Sequence, residues 1–286
     1  MKIFILVFLS IFSVISLYSQ DKAAFQIFNT DGSKASYADI LKSADNSDVL
    51  FIGELHNNAV AHWLEYELTK ALFSIKKENL IIGAEMFEAD DQIVVNEFLS
   101  GKLSENTFKA EAKLWQNYKT DYKPLLDFAK TNKLKFIATN IPRRYASLVY
   151  TRGLEALDSL EKESYQWIVP LPFEIDMSLS CYKDIMEKAE GHGGENLPKS
   201  QAIKDATMAY FINKNIEKKN MFIHYNGSYH SDNHEGICWY LKKYNKNYKI
   251  LTITTIEQDD ISILNKEFLN KADFIIAVPE SFTKTY

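Results

Sequence analysis

Short, unbroken apolar runs alternate along this chain with longer stretches whose apolar residues recur every three to four positions. Val49-Leu50-Phe51-Ile52 leads into Gly53-Glu54-Leu55-His56, where the glycine is expected to let the backbone turn before the acid and the imidazole, and Leu80-Ile81-Ile82-Gly83-Ala84-Glu85 repeats the arrangement of strand, glycine and acid. Lys135-Phe136-Ile137-Ala138-Thr139-Asn140 and Met221-Phe222-Ile223-His224-Tyr225-Asn226-Gly227 have the same character. Runs of this length, rich in β-branched residues, fit strands buried on both faces, the state of a strand inside a parallel sheet. Between the first two runs, Val60, Leu64, Leu68 and Leu72 fall at i, i+4 with Trp63, Ala71 and Ile75 beside them, which predicts a helix over residues 57–75. Strand and helix alternating at this spacing predict βαβ crossovers.

The remaining pattern predicts a short strand at residues 24–28, a turn over Asn29-Thr30-Asp31-Gly32, a helix starting near Ser36, closing strands at 249–254 and 274–278, and a helix near 261–269. Two intervals carry helical periodicity without a convincing strand. Residues 90–132 hold Phe98, Phe108, Trp115, Tyr118 and Tyr122; residues 145–219 have their clearest helix at 202–216 and are interrupted by Glu190-Gly191-His192-Gly193-Gly194. Both are too long for plain connections. The expected architecture is therefore α/β: a mostly parallel sheet with flanking helices, and a helical cap from these intervals inserted over the carboxyl ends of the strands. A single domain is expected over residues 21–286.

Met1-Lys2 followed by an apolar run to Leu17 and polar Tyr18-Ser19-Gln20-Asp21 reads as a secretory signal peptide over residues 1–20. The first cysteine is Cys181, so export to the periplasm or cell envelope without lipidation is expected. Export would allow Cys181 and Cys238 to pair, and two free buried thiols suit the sequence equally. A net charge of −5 gives no electrostatic case for nucleic acid.

In a parallel sheet, function gathers outside the carboxyl ends of the strands. There the sequence places Glu54 with His56, Glu85, Asn140 with Arg143, and His230 after Gly227, with His62 in the first turn of the following helix. Two carboxylates and two imidazoles have three uses. They can hold a divalent metal, divide general acid and base work in hydrolysis, or floor a binding site without turnover. Arg143 offers a planar fork for a carboxylate or phosphate. His230 and His234 stand four apart, but the HExxH pattern is absent, which argues against zincin chemistry.

Gly53-Glu54-Leu55-His56-Asn57-Asn58 with His62, Glu85-Met86-Phe87 with Gln92, Tyr122 before Pro124-Leu125-Leu126, Asn140-Ile141-Pro142-Arg143, Gln201 with Asp205, and Gly227 with His230 and Gly236 together resemble the ChaN family of haem-binding proteins. That family belongs to a wider superfamily with erythromycin esterases and Tiki metalloproteases. The resemblance implies haem as ligand and haem or iron uptake as function, with a homodimer and an outer-membrane haem or iron receptor as partners. The alternative it implies is a hydrolase, esterase or peptidase, with or without a divalent metal, in which Glu54, His56, Glu85 and His230 are catalytic. The family binds haem iron through a tyrosine. Tyr122 stands at a matching position, and Tyr118, Tyr182 and His192 are further candidate iron ligands. Where the family's first motif continues with Asp, Pro and two adjacent His, this chain has Asn57, Ala59 and Ala61, and only His62 remains.

Overall fold

The computed structural model describes residues 22–188 and 194–286; the expected signal peptide and His192 lie outside them. The strands are β1 (Gln26–Asn29), β2 (Lys34–Ala35), β3 (Val49–Glu54), β4 (Leu80–Glu88), β5 (Lys135–Asn140), β6 (Met221–Gly227), β7 (Ile250–Gln258) and β8 (Phe274–Pro279). They form one sheet in the order β2-β1-β8-β7-β3-β6-β4-β5. Every pairing from β8 to β5 is parallel, and β1 runs antiparallel to both β8 and β2. The expected α/β architecture is thus realised as a mixed, mostly parallel sheet.

The helices are α1 (Tyr37–Asp45), α2 (Ala59–Lys76), α3 (Gln92–Leu99), α4 (Glu105–Glu111), α5 (Lys123–Asn132), α6 (Arg143–Arg152), α7 (Ser180–Lys188), α8 (Asn196–Asn215) and α9 (Ile237–Tyr244). Because successive strand residues point to opposite faces, β3 feeds two cores. Leu50 and Ile52 pack with Leu64, Leu68 and Leu72 of α2 and Leu125 and Leu126 of α5. Val49 and Phe51 pack with Val149 of α6, Ile203 and Ala209 of α8, and Leu241 of α9. Burial on both faces is why the strands read as continuous apolar runs.

Three expectations need correction. Much of the interval 145–219 forms a layer on one face of the sheet, because α6 and α8 bury their apolar sides against Ile81, Ile137 and Phe222; among its described residues, Ser147, Ile185, Gln201 and Lys204 reach the mouth. The expected helix near 261–269 is reduced to one 3₁₀ turn, Lys266–Phe268. Gly53 does not turn the chain: β3 continues through it to Glu54, and a Cβ at Gly53 would lie 2.9 Å from the Ser228 Cα, so close backbone approach is what requires glycine there. Cys181 and Cys238 are both free and buried. No helix among the described residues is long and apolar enough to cross a membrane.

Candidate functional site

The parallel strands deliver Glu54, Glu85 and Gly227 to the same edge of the sheet, beneath a cavity of about 1470 Å³. Its lining includes Glu54, His56, Glu85, Asn140, Arg143 and His230, which brings together six of the seven expected pocket residues. The loop between α4 and Tyr118, with Leu114, Trp115 and Asn117, forms one wall, and Gln201 and Lys204 of α8 form part of another. The short edge distance between the His56 and Trp115 rings, 4.9 Å between centroids, joins that wall to the floor.

The floor consists of two carboxylate–imidazole pairs. In the first, Glu54 Oε1 accepts from His56 Nδ1 at 2.6 Å and from the Tyr122 hydroxyl at 2.7 Å. In the second, His230 Nδ1 lies 2.5 Å from Asp205 Oδ1 and Nε2 lies 3.2 Å from Glu85 Oε1, while the Tyr182 hydroxyl donates to Asp205 Oδ2 at 2.8 Å. Glu85 Oε2 accepts from the Gly227 N–H at 2.8 Å. The register of β4 against β5 shifts between Ala84 and Glu88, an irregularity of the kind that re-aims a side chain next to a site. Gly227 lets the pairs approach: a Cβ there would meet His56 Nε2 at 2.7 Å and Glu85 Oε2 at 3.6 Å.

Charge follows from these contacts. Burial alone would raise the Glu54 carboxyl, but the bond from His56 and the charge of His62 outweigh it and hold it below the usual carboxylate range. Burial likewise opposes ionisation of Glu85, and His230 overrides it, so Glu85 is held well below its ordinary value. His230 is pushed up to about 10: burial favours the neutral ring, but Glu85 and Asp205 outweigh it. For Asp205 burial wins over the charge of His230 and its carboxyl is raised. His56 is raised too, because Glu54 and Glu85 outweigh its desolvation. The site is therefore a partly dry layer in which carboxylate and imidazolium alternate.

His62 does not line the cavity. It is buried behind Glu54, with Nδ1 3.1 Å from Glu65 Oε2. The tyrosines expected as iron ligands are also turned away. Tyr122 and Tyr182 are each 1% exposed and commit their hydroxyls to Glu54 and Asp205, and Tyr118 packs edge-on against Phe87. Deprotonating Tyr122 or Tyr182 would put a phenolate beside a buried carboxylate, so burial and that charge both push their hydroxyls up. The phenols that do line the cavity are Tyr229 and Tyr286. Among the described residues, Glu54, His56, Glu85 and His230 do not bring one ligand atom each within 4.8 Å of the others.

Asp205 was legible as part of the family resemblance, beside Gln201, but nothing in the sequence assigned it to the His230 ring. Trp115 belongs to the aromatic cap expected over this edge and does line the cavity, whereas Lys204 and Tyr286 carry no sequence signal that would mark them for it.

The sequence model of a family described as "Haem-binding uptake, Tiki superfamily, ChaN" matches residues 40–241. Among solved structures, a ChaN of Campylobacter jejuni described for cofacial haem binding is 18% identical, with a TM-score of 0.64, covering 88% of this chain and 96% of that one. An erythromycin esterase in its open conformation is 9% identical, with a TM-score of 0.48, covering 90% of this chain and 83% of that one. No curated protein sequence matches the chain.

Proposed function

Because the chain belongs to the ChaN family of haem-binding uptake proteins in the Tiki superfamily, we propose that it binds haem in the cavity at the carboxyl edge of the sheet, in the service of haem or iron uptake. The observation that carries this reading is the cationic rim of that cavity. Arg143 and Lys204 line it, and neither forms an ion pair among the described residues; Lys204 reaches only the Gln201 side-chain oxygen, at 3.3 Å. Arg144 next to them is already held by Asp90 and lies over the Tyr145 ring. Two cations outside any direct ion pair among the described residues, above an aromatic and apolar wall, suit a flat, hydrophobic dianion, and the volume exceeds the roughly 300–1,000 Å³ of ordinary small-molecule pockets.

In this reading Arg143 and Lys204 hold the propionates, and Trp115, Leu114 and Ile141 cover the ring. His56 and Tyr286 offer donor atoms to the iron. Glu54 accepts the Nδ1 proton of His56 and fixes the ring, so that the proton given up to an iron would be the one on Nε2, which faces the cavity. The bound group would supply a ferric centre, which a hard oxygen or an imidazole nitrogen can hold. The same reading includes export to the periplasm or envelope, supported by the apolar segment behind Met1-Lys2. A homodimer and hand-over from an outer-membrane receptor complete it. Haemin added to the purified protein in equal amount is expected to give a shifted Soret band. Arg143→Ala with Lys204→Ala should weaken haemin at least tenfold and leave the dimethyl ester of haemin unaffected; an unshifted Soret band in the wild type removes the proposal.

The line Asp205–His230–Glu85 favours a second reading, a hydrolase of esters or peptides. An imidazole gripped at both nitrogens beside a second carboxylate–imidazole pair is equipment for general acid–base work, whose removal costs about 10²–10⁴-fold in rate. A panel of ester and peptide substrates decides: turnover lost in Glu54→Gln and His230→Ala supports it, and no turnover by a protein that binds haem ends it.

A further inference from the structure

On the side of Glu54 facing away from the cavity lies a cluster of which the readings above use only Glu54. Glu54 ends β3, and His62 and Glu65 stand three apart on α2, on one face of the helix, directed at the sheet. All three are buried, at 1%, 6% and 0% exposure. One nitrogen or oxygen from each lies within 4.8 Å of the others. His62 Nδ1 is 3.5 Å from Glu54 Oε2 and 3.1 Å from Glu65 Oε2. Ligands held about 2.1 Å from a tetrahedral ion stand about 3.4 Å apart, so these separations are those of a coordination shell.

Two further observations point to a cation. Glu54 Oε2 and Glu65 Oε1 are buried without a donor from any third residue among those described, and the two carboxyls lie close enough to bond to each other, an arrangement that calls for a proton or a cation between them. The other face of His62 is arranged as it is behind a metal-bound imidazole. Its Nε2 is 3.1 Å from the His56 carbonyl oxygen and 3.4 Å from Asp121 Oδ2, both acceptors, so Nε2 keeps a proton, while Nδ1, bonded to Glu65 Oε2, would release its own proton to a bound ion. Asp121 is itself fixed by the Asn117 amide at 2.8 Å and the Thr285 hydroxyl at 3.1 Å. Asp121 sits in a π turn, Tyr118–Tyr122, a rare local geometry found at functional sites.

We propose that Glu54, His62 and Glu65 form a buried site for one divalent transition-metal ion, with Asp121 as the residue that orients His62. One imidazole and two carboxylates suit zinc or manganese better than magnesium or copper(I). The ion sits behind the cavity floor and binds the Glu54 oxygen that His56 and Tyr122 leave free. Metal occupancy would thus set the orientation in which Glu54 presents its other oxygen to His56. The site does not depend on haem being the ligand of the cavity.

The test uses the full chain, without haem. After chelation and exchange into zinc or manganese, elemental analysis is expected to find one ion per chain and a higher Tm than the metal-free protein. Cobalt(II) in the same place should give the intense visible bands of a tetrahedral nitrogen–oxygen site, displaced by zinc. Glu65→Gln, which keeps the shape and removes the charge, should weaken zinc at least a hundredfold, whereas Asp205→Asn in the other carboxylate–imidazole pair should retain it. Should Glu65→Gln fail to fold, the cobalt spectrum of the wild type still decides. No bound ion in the wild type overturns the proposal and leaves a proton shared by the two carboxylates. Zinc retained by a folded Glu65→Gln, or lost in Asp205→Asn, overturns it as well.

Discussion

Three glycines on adjacent strands differ in what surrounds them, and the difference separates stability from site geometry. A Cβ at Gly53 would meet the Ser228 Cα at 2.9 Å and the Ile253 carbonyl oxygen at 3.1 Å, and at Gly83 it would meet the Phe222 ring at 2.6 Å; neither backbone nor packed ring can step aside. At Gly227 the obstacle is the tip of His56, whose side chain is one-third exposed and can rotate at the cost of its bond to Glu54. Gly53→Ala should lose about 1–3 kcal/mol of stability, as overpacked sites do. Gly227→Ala should keep its Tm within a few degrees and change the haem absorption spectrum; the reverse ranking in paired thermal melts and Soret spectra would contradict the assignment. At this scale Glu54, His56, Glu85 and His230 were legible, because parallel strands can only present their ends on one edge. The tyrosines were not. An aromatic residue near a site reads the same in sequence whether its hydroxyl reaches a ligand or, like that of Tyr122, satisfies a buried carboxylate from behind.

Helix α2 is the element on which both the cavity floor and the buried cluster depend, and its start is set by Asn58. The Asn58 side-chain oxygen accepts from the N–H groups of Val60 and Ala61 at 3.0 and 3.1 Å, and its amide donates to Glu257 at 3.1 Å. Asn58→Ala should cost about 1 kcal/mol for the lost cap, with more from the freed Glu257. It should also loosen His62, whose N–H bonds to the Asn58 carbonyl. Chemical unfolding measures the first effect, and the line width of the His62 ring signals in NMR measures the second. The period of Val60, Leu64, Leu68 and Leu72 announced this helix because one side of it faces a core. The same logic misread residues 261–269. Ile261, Leu264, Phe268 and Leu269 recur at helical spacing, yet they are pinned one by one to Phe28, Ile256 and Ile275 as an irregular segment. Spacing reports which residues are buried, and a loop draped over a sheet edge buries residues too. Helix α8 begins six residues earlier than its apolar pattern, because Pro198 is tolerated in a first turn.

At the scale of the molecule, the sheet divides two cores and traps histidines of opposite character, which shapes stability against pH. His224 on β6 lies between Phe51 and Phe222, wholly buried, with its Nδ1 3.0 Å from Asn226 Oδ1 and its Nε2 2.8 Å from the Thr139 hydroxyl. The Asn226 amide donates to Gly227 and Ser231, so its oxygen accepts and Nδ1 carries the single proton of a neutral ring. Burial lowers the His224 pKa to about 4. The unfolded chain, with a histidine pKa of about 6.5, therefore binds more protons between pH 6.5 and 4, and stability falls as pH falls through that window. His230 behaves oppositely. Its pKa of about 10 in the folded protein makes its contribution complete below about 6.5 and progressively lost as pH rises from there through 10. The two together predict a maximum of Tm near pH 6.5, with losses on both sides. Melts from pH 4 to 10 should show this dome, and the alkaline limb, to which His62 also contributes because Glu65 and Glu54 raise it to about 10 against its burial, should become shallower in His230→Asn while the acid limb survives. A Tm that stays level between pH 7 and 9.5 in the metal-free protein would mean that His230 is not held between Glu85 and Asp205 as a cation, and the alternating charge of the cavity floor would have to be abandoned.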